Sequence, residues 1–159
     1  MIVALFEPEI PYNTGNIARL CAITGIKLLL VGRLGFTISD KYLKRAGMDY
    51  WNYLDWCWIK TIESFFVEYE ELTYNYYFIS KFGKKYYNKI IDSNSFSFDK
   101  TILIFGNESY GLREDIRKKY EDRLYRIPMK EGMRSLNLSN SVAIVVYHIL
   151  EKLGFDGLT

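Results

Sequence analysis

The stretch VALFEPEIPYNTGNIARLCAITGIKLLLVG, which runs from Val3 to Gly32, decides the fold. It opens with a short apolar run, 3–6, that predicts a buried strand. A polar loop follows, and then a segment whose apolar residues recur at helical spacing as far as Gly25. A second apolar run, 27–31, predicts another strand. A strand, a helix and a strand within about 30 residues form the βαβ module of parallel sheets.

Small polar residues and a glycine mark the ends of this first helix. Thr14 or Asn16 is expected to cap its start, because a side-chain oxygen there can accept a hydrogen bond from a free backbone N–H. Gly25 is expected to end the helix, since glycine readily adopts the left-handed conformation found there.

The rest of the chain repeats the alternation of strands and helices. We predict strands within 51–59 and at 74–80, 101–105 and 124–127. We predict helices at 40–46, 61–70, 112–120 and 136–153, with a basic polar connection at 81–98. This alternation predicts an α/β fold, a mostly parallel sheet with helices on both faces. No repeat or linker interrupts residues 1–159, which we expect to form one domain.

Composition excludes several classes of protein. The 21 basic and 19 acidic residues leave a net charge of +2, which excludes a highly charged tail but not a local RNA-binding patch. Cys21 and Cys57 stand apart without a neighbouring histidine, so we expect no disulfide framework, no zinc site and a cytoplasmic location. His148 is the single histidine. The first residues lack a signal peptide's basic region, and no apolar run is long enough to span a membrane.

The last predicted helix carries an unbroken apolar run, Val142–Val146. Five consecutive apolar residues cover every face of a helix, so we expect this segment to be buried all round. Either the helix is central in the fold or a second chain covers its outer face. We favour the second interpretation, a homodimer.

Three loops follow predicted strands, at 7–16, 106–111 and 128–137, and parallel sheets bind ligands at this edge. In the first loop, Asn16 and Arg19 share a face at the start of the helix. A helix N-terminus and a bidentate guanidinium together suit a phosphate or carboxylate. The alternative is a capping Asn16 and a solvated Arg19.

The second loop, GNESYG at 106–111, matches neither the dinucleotide fingerprint nor the P-loop. The remaining interpretation is that Gly106 lets a ligand approach the backbone, with Glu108 beside it. The alternative is a tight turn with an exposed carboxylate.

The third loop leads into the apolar helix through Ser135, Asn137 and Ser139. Ser139 and Asn140 lie inside the predicted helix, where their side chains compete with backbone hydrogen bonding. This pattern indicates either a ligand or interior polar partners, or simply capping by Ser135 or Asn137.

Three segments, Asn13–Arg19, Phe105–Leu112 and Ile127–Val142, resemble the three motifs of the SPOUT superfamily of knotted methyltransferases. The opening EPEIPYNTGN at 7–16, together with RAGMDY at 45–50, is similar to one branch of that superfamily. Its members are small single-domain tRNA ribose 2′-O-methyltransferases that act on the wobble pyrimidine. The resemblance runs nearly end to end.

This resemblance implies a C-terminal deep trefoil knot, bent S-adenosylmethionine as cofactor, and a homodimer whose active sites draw on both chains. The positions that match the family's cofactor-binding residues are Ile79, Gly106, Ile127, Met129, Ser135 and Leu136. The positions that match its polar active-site residues are Asn16, Arg19, Glu108 and Asn137. Methyl transfer from a sulfonium needs no metal.

The implied reaction is methylation of the ribose 2′-OH of the wobble pyrimidine, cytidine or carboxymethylaminomethyluridine, with the tRNA anticodon arm as partner. A guanidinium has no spare lone pair at pH 7, so Arg19 is expected to position phosphate and hydroxyl rather than remove the proton. The candidate RNA-binding cations are Arg33, Lys41, Lys44, Arg45, Lys81, Lys84, Lys85, Lys130 and Arg134.

Two alternatives stay open. One is ribosomal RNA ribose 2′-O-methylation, although such enzymes commonly carry an added N-terminal RNA domain. The other is a non-catalytic RNA-binding or assembly module on the same knotted fold. His148 and Cys57 are expected to be structural.

Overall fold

A seven-stranded sheet organises the computed structural model, which describes residues 1–38 and 48–159. Its strands are Ile2–Phe6 (β1), Lys27–Val31 (β2), Trp56–Ile59 (β3), Asn75–Ile79 (β4), Lys85–Tyr86 (β5), Thr101–Phe105 (β6) and Leu124–Arg126 (β7). The α-helices in these ranges are Pro11–Thr24 (α1), Ile62–Glu68 (α2), Glu114–Lys119 (α3) and Leu138–Lys152 (α4). Short 3₁₀ turns lie at Met48–Asn52, Tyr87–Lys89, Phe98–Lys100 and Glu121–Arg123.

The strands are arranged in the order β3-β2-β1-β6-β4-β7-β5, and each neighbouring pair is parallel. Strand β1 lies inside the sheet, with Val3 opposite both Leu28 and Leu103. Parallel pairing sends all carboxyl ends to one edge, where the loops after β1, β4, β6 and β7 meet.

The core has two layers because both faces of the sheet are covered. Val3 and Leu5 point to one face, with the buried sides of α1 and α4. Ala4 and Phe6 point to the other face, with α2 and α3. Alternate residues of a strand project to opposite faces, so a strand buried on both sides must be apolar throughout, as β1 is. The predicted α/β fold is confirmed.

The start of α1 differs from the prediction. The helix begins at Pro11, with Ile10 at the cap position and no side-chain cap, so the expected caps Thr14 and Asn16 lie within the helix. Proline suits a first helical position because its φ is already helical and its missing N–H needs no partner there. Gly25 ends the helix in the left-handed conformation at φ 67°, as predicted.

Other elements match the prediction with shifted ends. Thr61 caps α2 by accepting a hydrogen bond from the Ser64 backbone N–H. The strand expected within 51–59 is limited to β3, because Met48–Asn52 forms a 3₁₀ turn. The connection at 81–98 contains the short strand β5. The helix predicted at 40–46 lies outside the described residues.

Helix α4 is not buried all round in the single chain, which corrects that expectation. Val142, Val145 and Val146 face the core, but Ile144 is 37% exposed and Tyr147 is 41% exposed. An outer apolar stripe is therefore open on one side of α4. Strand order and register do not establish how the chain after β7 passes through earlier loops, so the trefoil knot stays a prediction.

Candidate active site

Glu108 ties the loop after β6 to the loop after β1. Its carboxylate accepts hydrogen bonds from the backbone N–H of Glu9 at 2.8 Å and of Ile10 at 3.2 Å. It also accepts one from the side-chain amide of Asn13 at 3.0 Å. An ionised carboxylate has about four acceptor positions, so these three donors occupy most of them. Glu108 therefore acts as a scaffold that holds two loops together.

Asn13 passes this connection on to the third loop. Its side-chain oxygen accepts a hydrogen bond from Nδ2 of Asn137 at 2.9 Å. The Asn137 oxygen in turn caps α4 by accepting from the backbone N–H of Ser139 at 2.9 Å and of Asn140 at 3.3 Å. A chain of three side chains, Glu108–Asn13–Asn137, thus joins segments about a hundred residues apart.

The loop after β6 is a tight turn. Asn107 and Gly111 exchange backbone hydrogen bonds at 3.0 and 2.8 Å. A Cβ on Gly106 would lie 2.6 Å from the Gly111 carbonyl oxygen, so the chain's own return requires glycine there. The turn is therefore tight, as one of the two interpretations expected, but the Glu108 carboxylate is hydrogen-bonded rather than free. That Gly106 lets a ligand approach the backbone stays a prediction.

Asn107 anchors this turn to the end of β1. Its Nδ2 donates to the Glu7 carbonyl at 2.7 Å, and its oxygen accepts from the Ser109 N–H at 2.7 Å. Asn107 is buried, so satisfying both ends of its amide avoids the penalty for an unpaired polar group.

Two carboxylates line the outer side of the turn. The Ser109 hydroxyl donates to Glu9, and this hydrogen bond is the main reason that the pKa of Glu9 is lowered. The Tyr110 hydroxyl donates to Glu7 at 2.7 Å. Partial burial, followed by the Glu7 carboxylate, raises the pKa of Tyr110 to about 12. Tyr110 is therefore protonated at neutral pH and serves as a donor, not as a base.

A cavity of about 380 Å³ opens where the carboxyl ends of β4, β6 and β7 meet the start of α4. This volume is in the range of sites that hold a small ligand. All six residues that the resemblance assigned to the cofactor line it: Ile79, Gly106, Ile127, Met129, Ser135 and Leu136. Glu108 and Asn137, two of the four predicted polar residues, line it as well.

The other two predicted residues, Asn16 and Arg19, lie elsewhere. Both are exposed on the outer face of α1 and do not line the cavity. The Arg19 guanidinium is 5.0 Å from the centre of the Tyr50 ring. Their roles stay predictions, and within one chain they do not meet Glu108.

Sequence reasoning missed Asn13, which is buried and connects the other two polar groups. The signal was available in Pro11. A proline at the first helical position places Asn13 at the third, where a side chain can turn back toward the preceding loop. With Thr14 or Asn16 predicted as the cap of the helix, Asn13 was assigned to the loop before it.

The other reactive side chains lie outside this site. His148 packs its ring against that of Tyr87 at 5.2 Å between centres, and it does not line the cavity. Cys21 and Cys57 are both free thiols. Burial raises the pKa of Cys21 to about 12. Across 1–38 and 48–159, no group of three His, Cys, Asp or Glu side chains is arranged to hold a metal ion.

The sequence model of the SpoU rRNA methylase family matches residues 1–147. The chain belongs to the SpoU methylase family.

Two relatives of this SpoU-family protein match along nearly their whole length. It is 45% identical over 157 residues to a Geobacillus stearothermophilus protein, covering 99% of this chain and 98% of the relative. It is 38% identical to the tRNA (cytidine(34)-2′-O)-methyltransferase of Saccharophagus degradans, covering 98% and 97%. The Geobacillus protein bears that same name provisionally.

Solved structures of similar proteins share the fold. One, described as giving insight into 2-OH methylation of C/U34 on tRNA, is 33% identical with a TM-score of 0.85, covering 96% and 95% of the two chains. Another, an AdoMet-bound rRNA methyltransferase from Sinorhizobium meliloti, is 24% identical with a TM-score of 0.81. The match covers 96% of this chain but 56% of that longer one.

Proposed function

We propose that this SpoU-family protein transfers a methyl group from S-adenosylmethionine to the ribose 2′-OH of the wobble pyrimidine, nucleotide 34, of tRNA. The observation that carries the proposal is the shared cavity. Six positions matched to cofactor residues, drawn from three distant segments, line one space beside the Glu108–Asn13–Asn137 chain. The near full-length relatives named for methylation of nucleotide 34 support the choice of substrate.

The cavity fits the chemical character of S-adenosylmethionine. Ile79, Ile127 and Leu136 offer apolar surface for the adenine ring, and the backbone of the turn at 106–111 offers hydrogen-bonding groups. Ser135, which also lines the cavity, is the position that the resemblance assigns to the methionine end. When bound, the cofactor supplies a methyl group on a positively charged sulfur, which makes that methyl open to attack.

The chain's part in the reaction is to hold the sugar hydroxyl in line with the methyl–sulfur bond. Bound S-adenosylmethionine would supply the methyl group to the 2′-oxygen and be left as a neutral thioether, and the hydroxyl proton would pass to phosphate or water. Glu108 keeps the two loops in place through the three hydrogen bonds that it accepts, and these occupy most of its acceptor positions. Arg19 positions the substrate phosphate and hydroxyl through its fork of donors.

We propose that Arg19 reaches the cavity of a second chain in a homodimer. The exposed face of α1 carries Asn16 and Arg19, and the exposed face of α4 carries the apolar Ile144 and Tyr147. A partner covering α4 would bury this apolar stripe. It would also account for why two of the four predicted polar residues lie away from their own cavity.

The two alternatives are less well supported. The rRNA methyltransferase that shares the fold is much longer than this chain and is 24% identical, a likeness that concerns the fold alone. A binding module without activity would not need a cavity lined by all six positions matched to cofactor residues. No helix within the described ranges is long and apolar enough to cross a membrane. We place the enzyme in the cytoplasm, where its tRNA substrate is found.

The decisive experiment is methylation of tRNA by the purified protein with S-adenosylmethionine, followed by mass spectrometry of the digested nucleosides. We expect one 2′-O-methyl group at nucleotide 34. Modification of ribosomal RNA instead, or of another tRNA position, would overturn the proposed substrate. Calorimetry with S-adenosylmethionine adds a separate test, because absence of binding would favour the non-catalytic module.

A further inference from the structure

Phe82 is an aromatic side chain at the mouth of the cavity that the reaction does not use. It follows β4 by three residues, lines the cavity and is 52% exposed. Two cations lie over its ring. The Arg117 guanidinium carbon is 4.2 Å from the ring centre, and Lys81 Nζ is 5.3 Å from it.

Arg117 is held in this position by the protein. Its Nε donates a hydrogen bond to the Leu112 carbonyl at 3.1 Å. Its neighbours on α3 are neutralised, since Lys118 pairs with Glu114 at 2.8 Å and Lys119 approaches Glu71 at 4.0 Å. Arg117 has no carboxylate partner in the described part of the chain, so its charge stays available beside the ring.

Other cations near the cavity are also without a carboxylate. Arg126, which directly precedes the cavity residue Ile127, has a buried Nε with no hydrogen-bond partner. Within 1–38 and 48–159, neither Lys81 nor Arg134 forms an ion pair, and both line the cavity. Lys84, which does not line the cavity, is by contrast paired with Glu121. The cavity mouth therefore combines an open aromatic ring with charges that have no acidic partner.

We propose that Phe82, backed by Arg117, is a stacking platform for a base of the single-stranded anticodon loop next to the methylated nucleotide. This inference rests on the proposed function. The ring is 52% exposed beside the Arg117 guanidinium, which leaves room for a base to stack, and proteins that bind single-stranded RNA combine such rings with cations. Lys81 and Arg126 then face the phosphates on either side of that base.

The test measures binding of a labelled anticodon stem-loop RNA by fluorescence anisotropy, alongside calorimetry with S-adenosylmethionine. Stacking of one base corresponds to about a tenfold to hundredfold change in affinity. We expect Phe82→Ala to weaken RNA binding by that factor and Phe82→Trp to restore it, with cofactor affinity unchanged in both. Leu72→Ala is the control, since Leu72 is 96% exposed and lies before β4, at the opposite edge of the sheet.

The salt dependence of RNA binding distinguishes the contribution of the Phe82 ring from that of the neighbouring charges. The slope of affinity against salt concentration should stay unchanged in Phe82→Ala and fall by about one in Arg126→Ala, because only the second removes a phosphate contact. Loss of cofactor affinity in Phe82→Ala would show that the ring covers the cofactor and overturn the proposal, as would unchanged RNA binding. Wild-type protein that binds this RNA but methylates another position would overturn the proposed function alone.

Discussion

Glu108 and Asn137 together determine the orientation of the Asn13 side-chain amide. The Glu108 carboxylate can only accept, so Asn13 must present its NH₂ group to it and its oxygen to Asn137. Asn137 must then donate to Asn13, which leaves its own oxygen for the N-terminus of α4. A charge at one end thus sets the direction of every hydrogen bond along the chain.

Replacing Asn13 with Asp should destabilise the protein in a pH-dependent way. The Asn13→Asp change places a second carboxylate against Glu108, and we expect the free energy of unfolding to fall by about 1–3 kcal/mol at pH 8. Repulsion raises the pKa of the pair in the folded state above its unfolded value. Stability is then recovered as the pH falls through that raised value toward 5.

Urea unfolding at pH 8 and pH 5 measures this effect. Asn13→Ala is the control without an added charge, and it removes both hydrogen bonds of the Asn13 side chain, whereas Asp can still accept from Asn137. Its penalty should vary less with pH than that of Asn13→Asp. Equal penalties for Asn13→Asp at the two pH values would contradict the network.

Gly106→Ala should disable the cavity through the backbone. The added methyl group would meet the returning chain at Gly111, at a cost of about 1–3 kcal/mol, and the turn that carries Glu108 would shift. We expect calorimetry to show loss of S-adenosylmethionine binding. Gly157→Ala is the control, since that glycine has a positive φ but open space around it. Its strain, about 1 kcal/mol, should leave cofactor affinity unchanged.

At the scale of elements, α1 and α4 each present one face to the core and one to the outside. The outer stripe of α4 is apolar at Ile144 and Tyr147, and that of α1 carries Asn16 and Arg19. If the two stripes belong to one interface, then assembly and activity depend on the same surface.

Ile144→Glu should therefore abolish both assembly and methylation. A buried, unpaired carboxylate in an apolar interface is costly, so light scattering should report the mass of one chain instead of two. Cofactor binding should persist, because Ile144 does not line the cavity. Leu72→Glu, on a different exposed surface, should leave the dimer intact. A fully active Ile144→Glu monomer would contradict the shared site.

At the scale of the whole molecule, three buried tyrosines link the stability of the fold to alkaline pH. Burial is the main reason that the pKa of Tyr69, Tyr76 and Tyr120 is raised, to about 12 for Tyr76. All three belong to the core layer that lies between the sheet and the helices α2 and α3.

These groups should make the protein less stable as the pH rises above about 10. A folded-state pKa above the unfolded value of 10.0 adds stability that is complete below pH 10 and is lost as the pH rises toward 12. Urea midpoints measured between pH 8 and 11 should fall accordingly. Absorbance at 295 nm should show these tyrosines ionising only on unfolding. A constant midpoint to pH 11 would contradict the assignment.

Much of this molecule was predictable from its sequence because the information is local. Apolar runs identify β1, which is followed by Glu7 and Pro8, and β2 and β6, which are each followed by a glycine. The alternation of strands with helices predicts the parallel sheet. Resemblance supplied what spacing does not, the six residues that line one cavity. The Glu108–Asn13 contact was not predictable, because it joins residues 95 apart and depends on one helix starting at Pro11. Exposure of Ile144 depends on how α4 packs, which a run of apolar residues does not specify.

The interior position of β1 has a consequence for synthesis on the ribosome. Its first neighbour, β2, emerges soon after it, but the second, β6, begins at Thr101. At about 5–20 residues per second, a nascent chain waits several seconds with that hydrophobic edge unpaired. Truncated polypeptides ending before Thr101 should therefore associate with chaperones or precipitate, whatever the stability of the finished enzyme.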